Sequence, residues 1–132
     1  MATEFTFNHS NTLNGGGKQV GASNRSFTGS AQQAIEEDVA NGSTDYQINM
    51  SIDQSEMVAF AIISTQNVTV ETNSGSSPTD TFTLTANVPK IYLNDSSQGS
   101  NFITADVTAF FITNSSGSTA TVSIISLTDA TP

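Results

Sequence analysis

Residues 79–86 read Thr79-Asp80-Thr81-Phe82-Thr83-Leu84-Thr85-Ala86, and this stretch decides the fold class. Its four threonines fall on one parity, whereas Phe82, Leu84 and Ala86 fall on the other. A β-strand turns alternate side chains to opposite faces of its sheet. The stretch therefore predicts a strand with one solvated face and one buried face.

The same period of two recurs along the chain. In residues 46–52, apolar side chains alternate with Gln47, Asn49 and Ser51, and residues 119–127 show a similar pattern. Residues 57–64 are apolar on both parities, which is typical of a central strand covered on both sides. Turn-forming residues separate most of these segments. We therefore predict an all-β fold: one antiparallel β-sandwich domain, jelly-roll-like, with roughly eight to ten short strands.

The predicted core follows from the apolar parity of these strands. In each of them, the side chains of one parity should meet the opposite sheet. We expect eight residues to be buried there: Ile48, Met50, Phe60, Ile62, Phe82, Leu84, Val122 and Ile124.

Residues 30–40 fit two structures. Ser30 could cap a short helix in which Ile35 and Val39 lie four residues apart. In an extended conformation, one face of the same stretch would carry Ala31, Gln33, Ile35, Glu37 and Val39. Glu37 does not fit a buried face, because it is charged. Because the rest of the chain is β, we favour the strand, and Asn41-Gly42 then marks a turn.

The N-terminal segment predicts an arm. Phe5 and Phe7 alternate within a short strand at residues 3–7, and a polar stretch up to Lys18 contains three adjacent glycines, so we expect a flexible loop there. A weaker strand follows at residues 19–28. The predicted organisation is an arm at residues 1–18 and a β-sandwich domain at residues 19–132. Five arm residues are candidate contacts to a neighbouring subunit or shell: Phe5, Phe7, Gly15, Gly16 and Gly17.

Two roles are open for the strand that this arm carries. It could order by pairing with the exposed sheet edge of a neighbour, with Phe5 and Phe7 as apolar anchors. Alternatively, it is simply an edge strand of its own domain.

Composition restricts the classes of partner. The chain has 132 residues, a net charge of −9 and no cysteine, and 50 residues are Ser, Thr or Asn. Lys18, Arg25 and Lys90 are its only bases. Because phosphate-binding surfaces need clustered Lys and Arg, nucleic acid is disfavoured as a partner, and anionic membranes are disfavoured for the same reason. No secretory signal is recognisable at the N-terminus.

Candidate catalytic groups are few. His9 is the only histidine, so a Ser-His-Asp system would have to use it, but it adjoins a glycine-rich segment and such a site needs rigid support. Gly15-Gly16-Gly17-Lys18 hints at a phosphate loop, yet Thr12 and Gln19 stand where that motif needs Gly and Ser or Thr. We predict a solvated histidine, a flexible loop and no enzymatic activity.

Metal and sugar sites are disfavoured on similar grounds. Glu36-Glu37-Asp38 could serve acid–base chemistry or calcium, but a solvated or interface-facing patch is the simpler interpretation. Residues 94–99 resemble a calcium loop only loosely. Phe110, Phe111 and Tyr92 could form a sugar-stacking platform, but strand parity sends the two adjacent phenylalanines to opposite faces. Core packing is therefore favoured, and no cofactor or metal is predicted.

Three stretches of the sequence resemble a known family. They are residues 68–84 (VTVETNSGSSPTDTFTL), residues 102–108 (FITADVT) and residues 113–121 (TNSSGSTAT). They resemble the small β-rich virion proteins of tailed bacteriophages, whose best-understood members are capsid decoration, or cement, proteins. The likeness covers about residues 44–132 and consists mostly of turn and strand residues.

The resemblance implies a non-enzymatic protein of the capsid exterior, made in the host cytoplasm. Such a protein would form trimers at symmetry axes of the shell and bridge subunits of the major capsid protein. No individual interface residue carries over from the family. The main alternative is a receptor- or glycan-binding module of a head fibre or tail fibre, which an exposed shelf of aromatic rings would favour.

Overall fold

The computed structural model describes residues 4–130, and within that range it leaves out the side chains of residues 22–24. Ten strands are present in this part of the chain, which are, in chain order, β1 Phe5–Gly15, β2 Lys18–Gly29, β3 Ala31–Val39, β4 Ser43–Ile52, β5 Met57–Ser64, β6 Val68–Thr72, β7 Thr81–Leu84, β8 Lys90–Leu93, β9 Val107–Asn114 and β10 Ala120–Thr128. One 3-10 turn, Gln54–Glu56, precedes β5. The all-β prediction and the predicted number of strands are confirmed.

Eight of the strands form the body of the molecule. One sheet has the order β3-β10-β5-β8, and the other has the order β4-β9-β6-β7. The pairs β3/β10, β4/β9, β5/β8 and β6/β7 are all antiparallel, so the first strand pairs with the last, the second with the next to last, and so on inward. A long hairpin rolled up in this way into two sheets is a jelly-roll sandwich.

The core lies between the two sheets. Seven of the eight predicted core residues are buried there, and Phe82 is half-buried against them. Phe60 stacks on Phe110 with ring centroids 5.9 Å apart. Phe82 lies on β7, an edge strand, where the Lys90 ammonium is 5.7 Å from its ring centroid.

Among the buried polar side chains of this body, Asn114 has both its amide nitrogen and its amide oxygen hydrogen-bonded. Asn114, at the end of β9, donates from Nδ2 to the carbonyls of Val39 at 2.9 Å and Ser118 at 2.8 Å. Its Oδ1 accepts from the Ser116 backbone N–H at 3.0 Å. Because a buried amide is costly unless paired, these bonds hold the β9–β10 turn against the end of β3.

The ambiguous segment at residues 30–40 is a strand, as favoured. β3 pairs with β10 along its whole length, from Ala31 opposite Thr128 to Val39 opposite Ala120. Glu37 shares the inward parity, but β3 is an edge strand, so its carboxylate reaches Tyr46 and accepts a hydrogen bond of 2.9 Å from the hydroxyl. This bond and the negative charge of Glu37 raise the pKa of the Tyr46 phenol.

The predicted loop from Asn8 to Lys18 is wrong. β1 runs on to Gly15 and pairs with β2 in a long two-stranded hairpin, with Gly15 opposite Lys18. Only Gly16 and Gly17 make the turn, with φ of 58° and 76°, as a type I′ turn requires. The predicted boundary after Lys18 therefore falls inside the hairpin. Thr3, the first residue of the strand predicted at residues 3–7, lies outside the described residues.

Candidate functional site: the N-terminal hairpin and the sheet face beneath it

The base of the hairpin packs on the outer face of the β3-β10-β5-β8 sheet. Phe7 and Phe27 lie opposite each other on β1 and β2, and together with Phe5 they contact an apolar cluster. The buried members of that cluster are Val58, Ala59, Leu93 and Leu127. β5 is apolar on both parities for this reason: one side faces the core and the other faces the hairpin.

Backbone contacts bring the end of β2 close to β10. A Cβ on Gly29 would lie 2.5 Å from the Thr128 carbonyl oxygen and 2.9 Å from the Leu127 side chain. The next residue, Ser30, donates its backbone N–H to the same Thr128 oxygen at 2.9 Å, and its Oγ accepts from the Ala130 N–H at 3.0 Å. Glycine is thus required where the hairpin joins the body.

Arg25 ties the middle of the hairpin to the loop after β8. Its guanidinium pairs with the Asp95 carboxylate, donates to Ser97 Oγ at 2.8 Å and lies 5.3 Å from the Phe27 ring centroid. The side chains of Arg25 and Asp95 are each about one-third exposed. This ion pair is therefore a modest clamp on the hairpin.

The distal part of the hairpin is exposed. Leu13 and Val20 lie opposite each other on β1 and β2, and they are 79% and 70% exposed. The register shift between His9 and Asn11 takes its extra residue in β2, so β1 keeps its alternation and Leu13 shares a face with Phe7. The face that anchors the hairpin at its base therefore continues outward as an unpaired apolar surface.

The predicted site residues thus have two distinct positions. Phe5 and Phe7 are half-buried against the chain's own body, where they anchor the hairpin. Gly15, Gly16 and Gly17 form its solvent-exposed tip, with no heavy atom within 4 Å of a Cβ built on any of them. β1 pairs with its own β2 in a separate sheet, so it is not an edge strand of the sandwich. The contact of these five predicted residues with a neighbouring subunit stays a prediction.

Sequence reasoning missed Leu13 and Val20, although a signal was present. They are isolated apolar residues in polar surroundings, at positions that a two-residue turn at Gly16-Gly17 places opposite each other. Recognising that turn, rather than a three-glycine loop, would have found the pair.

A cleft separates the hairpin from the sheet beyond its base. Its volume is about 130 Å³, and its lining is mainly apolar, including Phe7, Phe27, Ala61, Ile91 and Ile125. His9 also lines it, and its buried Nδ1 has no hydrogen-bond partner among the described residues. A catalytic His would need a carboxylate to orient it at that atom.

The charged and aromatic candidates lie apart from this cleft. Glu36 and Asp38 lie on the outer face of β3, where they accept hydrogen bonds from the Ser123 and Thr121 hydroxyls. Phe110 is buried in the core and Phe111 is half-buried on the opposite face, as strand parity predicted. Within residues 4–130, no three His, Asp or Glu side chains are grouped so that they could hold a metal ion.

No helix in the described part of the chain is long and apolar enough to cross a bilayer.

Comparison with known proteins adds little. No protein-family model matches the chain, and no curated protein matches it. Among solved structures, a chain from the Bacillus endospore appendages, described as a family of disulfide-linked pili, is similar at 12% sequence identity. The match covers 76% of this chain and 88% of that chain, with a TM-score of 0.35. A likeness at that level carries no argument about function.

Proposed function

We propose that this chain is a structural virion protein of a tailed bacteriophage. It decorates the exterior of the assembled capsid and stabilises the shell by bridging subunits of the major capsid protein. In this role it has no enzymatic activity, it is made in the host cytoplasm, and it acts as a homo-oligomer, with a trimer favoured by the family resemblance.

The observation that carries the proposal is the projecting hairpin. It is held at its base by Phe5, Phe7 and Phe27, while its tip exposes Leu13 and Val20 to solvent. Contiguous exposed apolar side chains mark interaction sites, and Leu13 and Val20 lie opposite each other on the hairpin. A rigid jelly-roll body with one such element suits a protein that must grip another surface without performing chemistry.

The three phage-like stretches also support the proposal, because two of them are joined in the fold. Thr104 donates from its backbone N–H and its hydroxyl to the Asp80 carboxylate, at 2.9 and 2.7 Å. Asn73 Oδ1 accepts from the Thr108 backbone N–H at 2.8 Å, and Asn73 Nδ2 donates to the Asp106 carbonyl at 2.9 Å. Two of the three stretches are therefore in direct contact in the fold, whereas the third, residues 113–121, spans the turn between β9 and β10.

The receptor- or glycan-binding alternative has less support. It predicts a shelf of exposed aromatic rings for sugar stacking. Among the described residues, Tyr46 is the one aromatic side chain with large exposure, at 36%, and its hydroxyl is bonded to Glu37. One isolated ring does not make a stacking platform.

The proposal is tested by adding the purified full-length protein to capsids that were produced without it, followed by electron cryomicroscopy. We expect new density at fixed positions on the outer surface and a higher temperature of capsid disruption. Decoration that is absent at saturating protein concentration, together with retention on an array of host glycans, would overturn the proposal in favour of the receptor-binding module.

A further inference from the structure

The charge of the molecule is divided between the hairpin and the body. The hairpin, from Phe5 to Gly29, contains Lys18 and Arg25 and no acidic residue, which gives a formal charge of +2. From Ser30 onward the chain contains eleven acidic residues and one base, Lys90, which gives −10. Surfaces of opposite charge on one kind of molecule attract each other between copies.

The charge at the tip lies beside the exposed apolar pair. Lys18 and Val20 are two residues apart on β2, so their side chains share the face that also carries Leu13. Asn14 and Gln19, which lie opposite each other one position further along, occupy the other face. The tip therefore presents two apolar side chains and one ammonium group in the same direction.

A surface of matching composition lies on the outer face of the β3-β10-β5-β8 sheet. Ile125 of β10 is 41% exposed and lies between Ala34 of β3 and Ala61 of β5. In the next row, Ser123 lies between Glu36 and Ile63. This surface, which we call the open face, is therefore apolar in its centre and acidic along β3.

The open face continues the surface on which the hairpin base already packs. The row of Leu127, Ala59 and Leu93 lies next to the row of Ile125 and Ala61, and Phe5, Phe7 and Phe27 cover the first of these. This sheet face thus accepts the apolar side of the hairpin in the chain itself. The row of Ile125 and Ala61 lines the cleft beside Phe7 and Phe27 and is only partly covered, since Ile125 is 41% exposed. It offers the same kind of surface to a second hairpin.

We propose that the hairpin tip of one copy docks on the open face of a second copy. Leu13 and Val20 pack on Ile125 and Ile63, and Lys18 pairs with the Glu36 and Asp38 carboxylates. The two surfaces differ, so the contact is head-to-tail and generates a closed ring or an open filament. This inference deepens the proposed homo-oligomer, because it names a second copy as the neighbour that the hairpin tip contacts. The contact between copies does not require a capsid.

The first test is the oligomeric state of the full-length protein, measured by sedimentation at increasing concentration. We expect species heavier than the 13.8 kDa monomer, and their share should grow as the protein concentration rises. A monomer at all concentrations would overturn the proposal.

The second test separates the two surfaces with three variants. Leu13→Ser with Val20→Ser removes the apolar pair at the tip, and we expect the dissociation constant to rise at least about tenfold, since two apolar side chains no longer become buried. Asn14→Ser with Gln19→Ser changes the opposite face of the same hairpin and should associate as the wild type does. Ile125→Lys places a positive charge on the open face, where it faces Lys18 of the docking tip, and should also weaken association at least about tenfold.

Mixing the two defective proteins gives the decisive result. The tip variant keeps an intact open face, and Ile125→Lys keeps an intact tip, so one head-to-tail contact remains possible between them. We expect a 1:1 dimer and nothing larger. Failure of the mixture to form a dimer, with both variants melting like the wild type, would overturn the proposal, as would wild-type association of the tip variant.

Discussion

The body and the hairpin of this protein are stabilised in different ways. The body buries its apolar side chains between two four-stranded sheets, with 17 buried residues in one continuous core. The hairpin is a two-stranded sheet that depends on three phenylalanines, one ion pair and a close backbone approach at Gly29. Because an isolated two-stranded hairpin is at best marginally stable in water, its order depends on the body, whereas the body does not depend on it to the same degree.

The largest expected effect is a loss in the free energy of unfolding of the body. Phe110→Ala removes a fully buried ring that stacks on Phe60, and we expect a loss of about 3–5 kcal/mol in the free energy of unfolding, while Ile48→Ala should cost about 2–5 kcal/mol. Chemical denaturation measures both. Val88→Ala, at a residue that is 53% exposed, is the control and should change stability little. Wild-type melting of Phe110→Ala would remove that ring from the core.

The next effect is a loss of hydrogen-exchange protection in the hairpin that the body does not share. Gly29→Val introduces a side chain against the Thr128 carbonyl and Leu127, and such overpacking typically costs about 1–3 kcal/mol. We expect hydrogen exchange to accelerate in β1 and β2, while protection in β5 and β10 is largely kept. Gly15→Ala is the matched control, because its Cβ would meet no atom within 4 Å. Equal loss of protection in both regions would show that hairpin and body unfold as one unit.

A smaller effect weakens the clamp in the middle of the hairpin. Arg25→Met keeps an apolar stem over Phe27 but removes the ion pair with Asp95 and the bond to Ser97. Partly exposed ion pairs contribute about 0.2–1 kcal/mol, so only hairpin protection should fall, and high salt should reduce the difference from the wild type. A loss that is independent of salt would point to packing rather than charge.

The smallest effect lies in the body and depends on pH. Burial raises the pKa of Glu71, and the neighbouring Asp45 carboxyl raises it further by a hydrogen bond and by its charge. The folded state therefore binds this proton more tightly than the unfolded chain does, so stability should fall as pH rises from the ordinary glutamate pKa through the raised one. Glu71→Gln should remove this fall and melt higher than the wild type at pH 7. Parallel pH profiles of the two proteins would contradict the assignment.

Most of the body was predictable from the sequence because its signals are local. Alternation in residues 46–52, 79–86 and 119–127 identifies strands and their buried faces, since side-chain direction in a strand depends only on parity. Seven of the eight predicted core residues are buried for that reason. The incomplete burial of Phe82 was not predictable, because Phe82 shares its strand and its parity with Leu84, which is buried.

The site was only partly predictable. The sequence predicts Phe5 and Phe7 as apolar anchors on a neighbour's sheet edge, whereas the structure packs them on the chain's own body. Residues 8–15 are exposed or half-buried on both faces of β1 and show no alternation of polarity, so the strand is not visible in the sequence. Three adjacent glycines suggested a loop where only two of them turn the chain.

The sequence by itself determined the all-β class, the core parity and the absence of acidic residues between Phe5 and Gly29. Only the tertiary structure decided which strands pair, that β1 and β2 form one long hairpin, and that its basic, apolar tip and the acidic open face are separate surfaces of one molecule. The physical reason is distance along the chain. Alternation and charge are properties of neighbouring residues, whereas pairing joins strands as far apart as β3 and β10, and it depends on how the whole core closes.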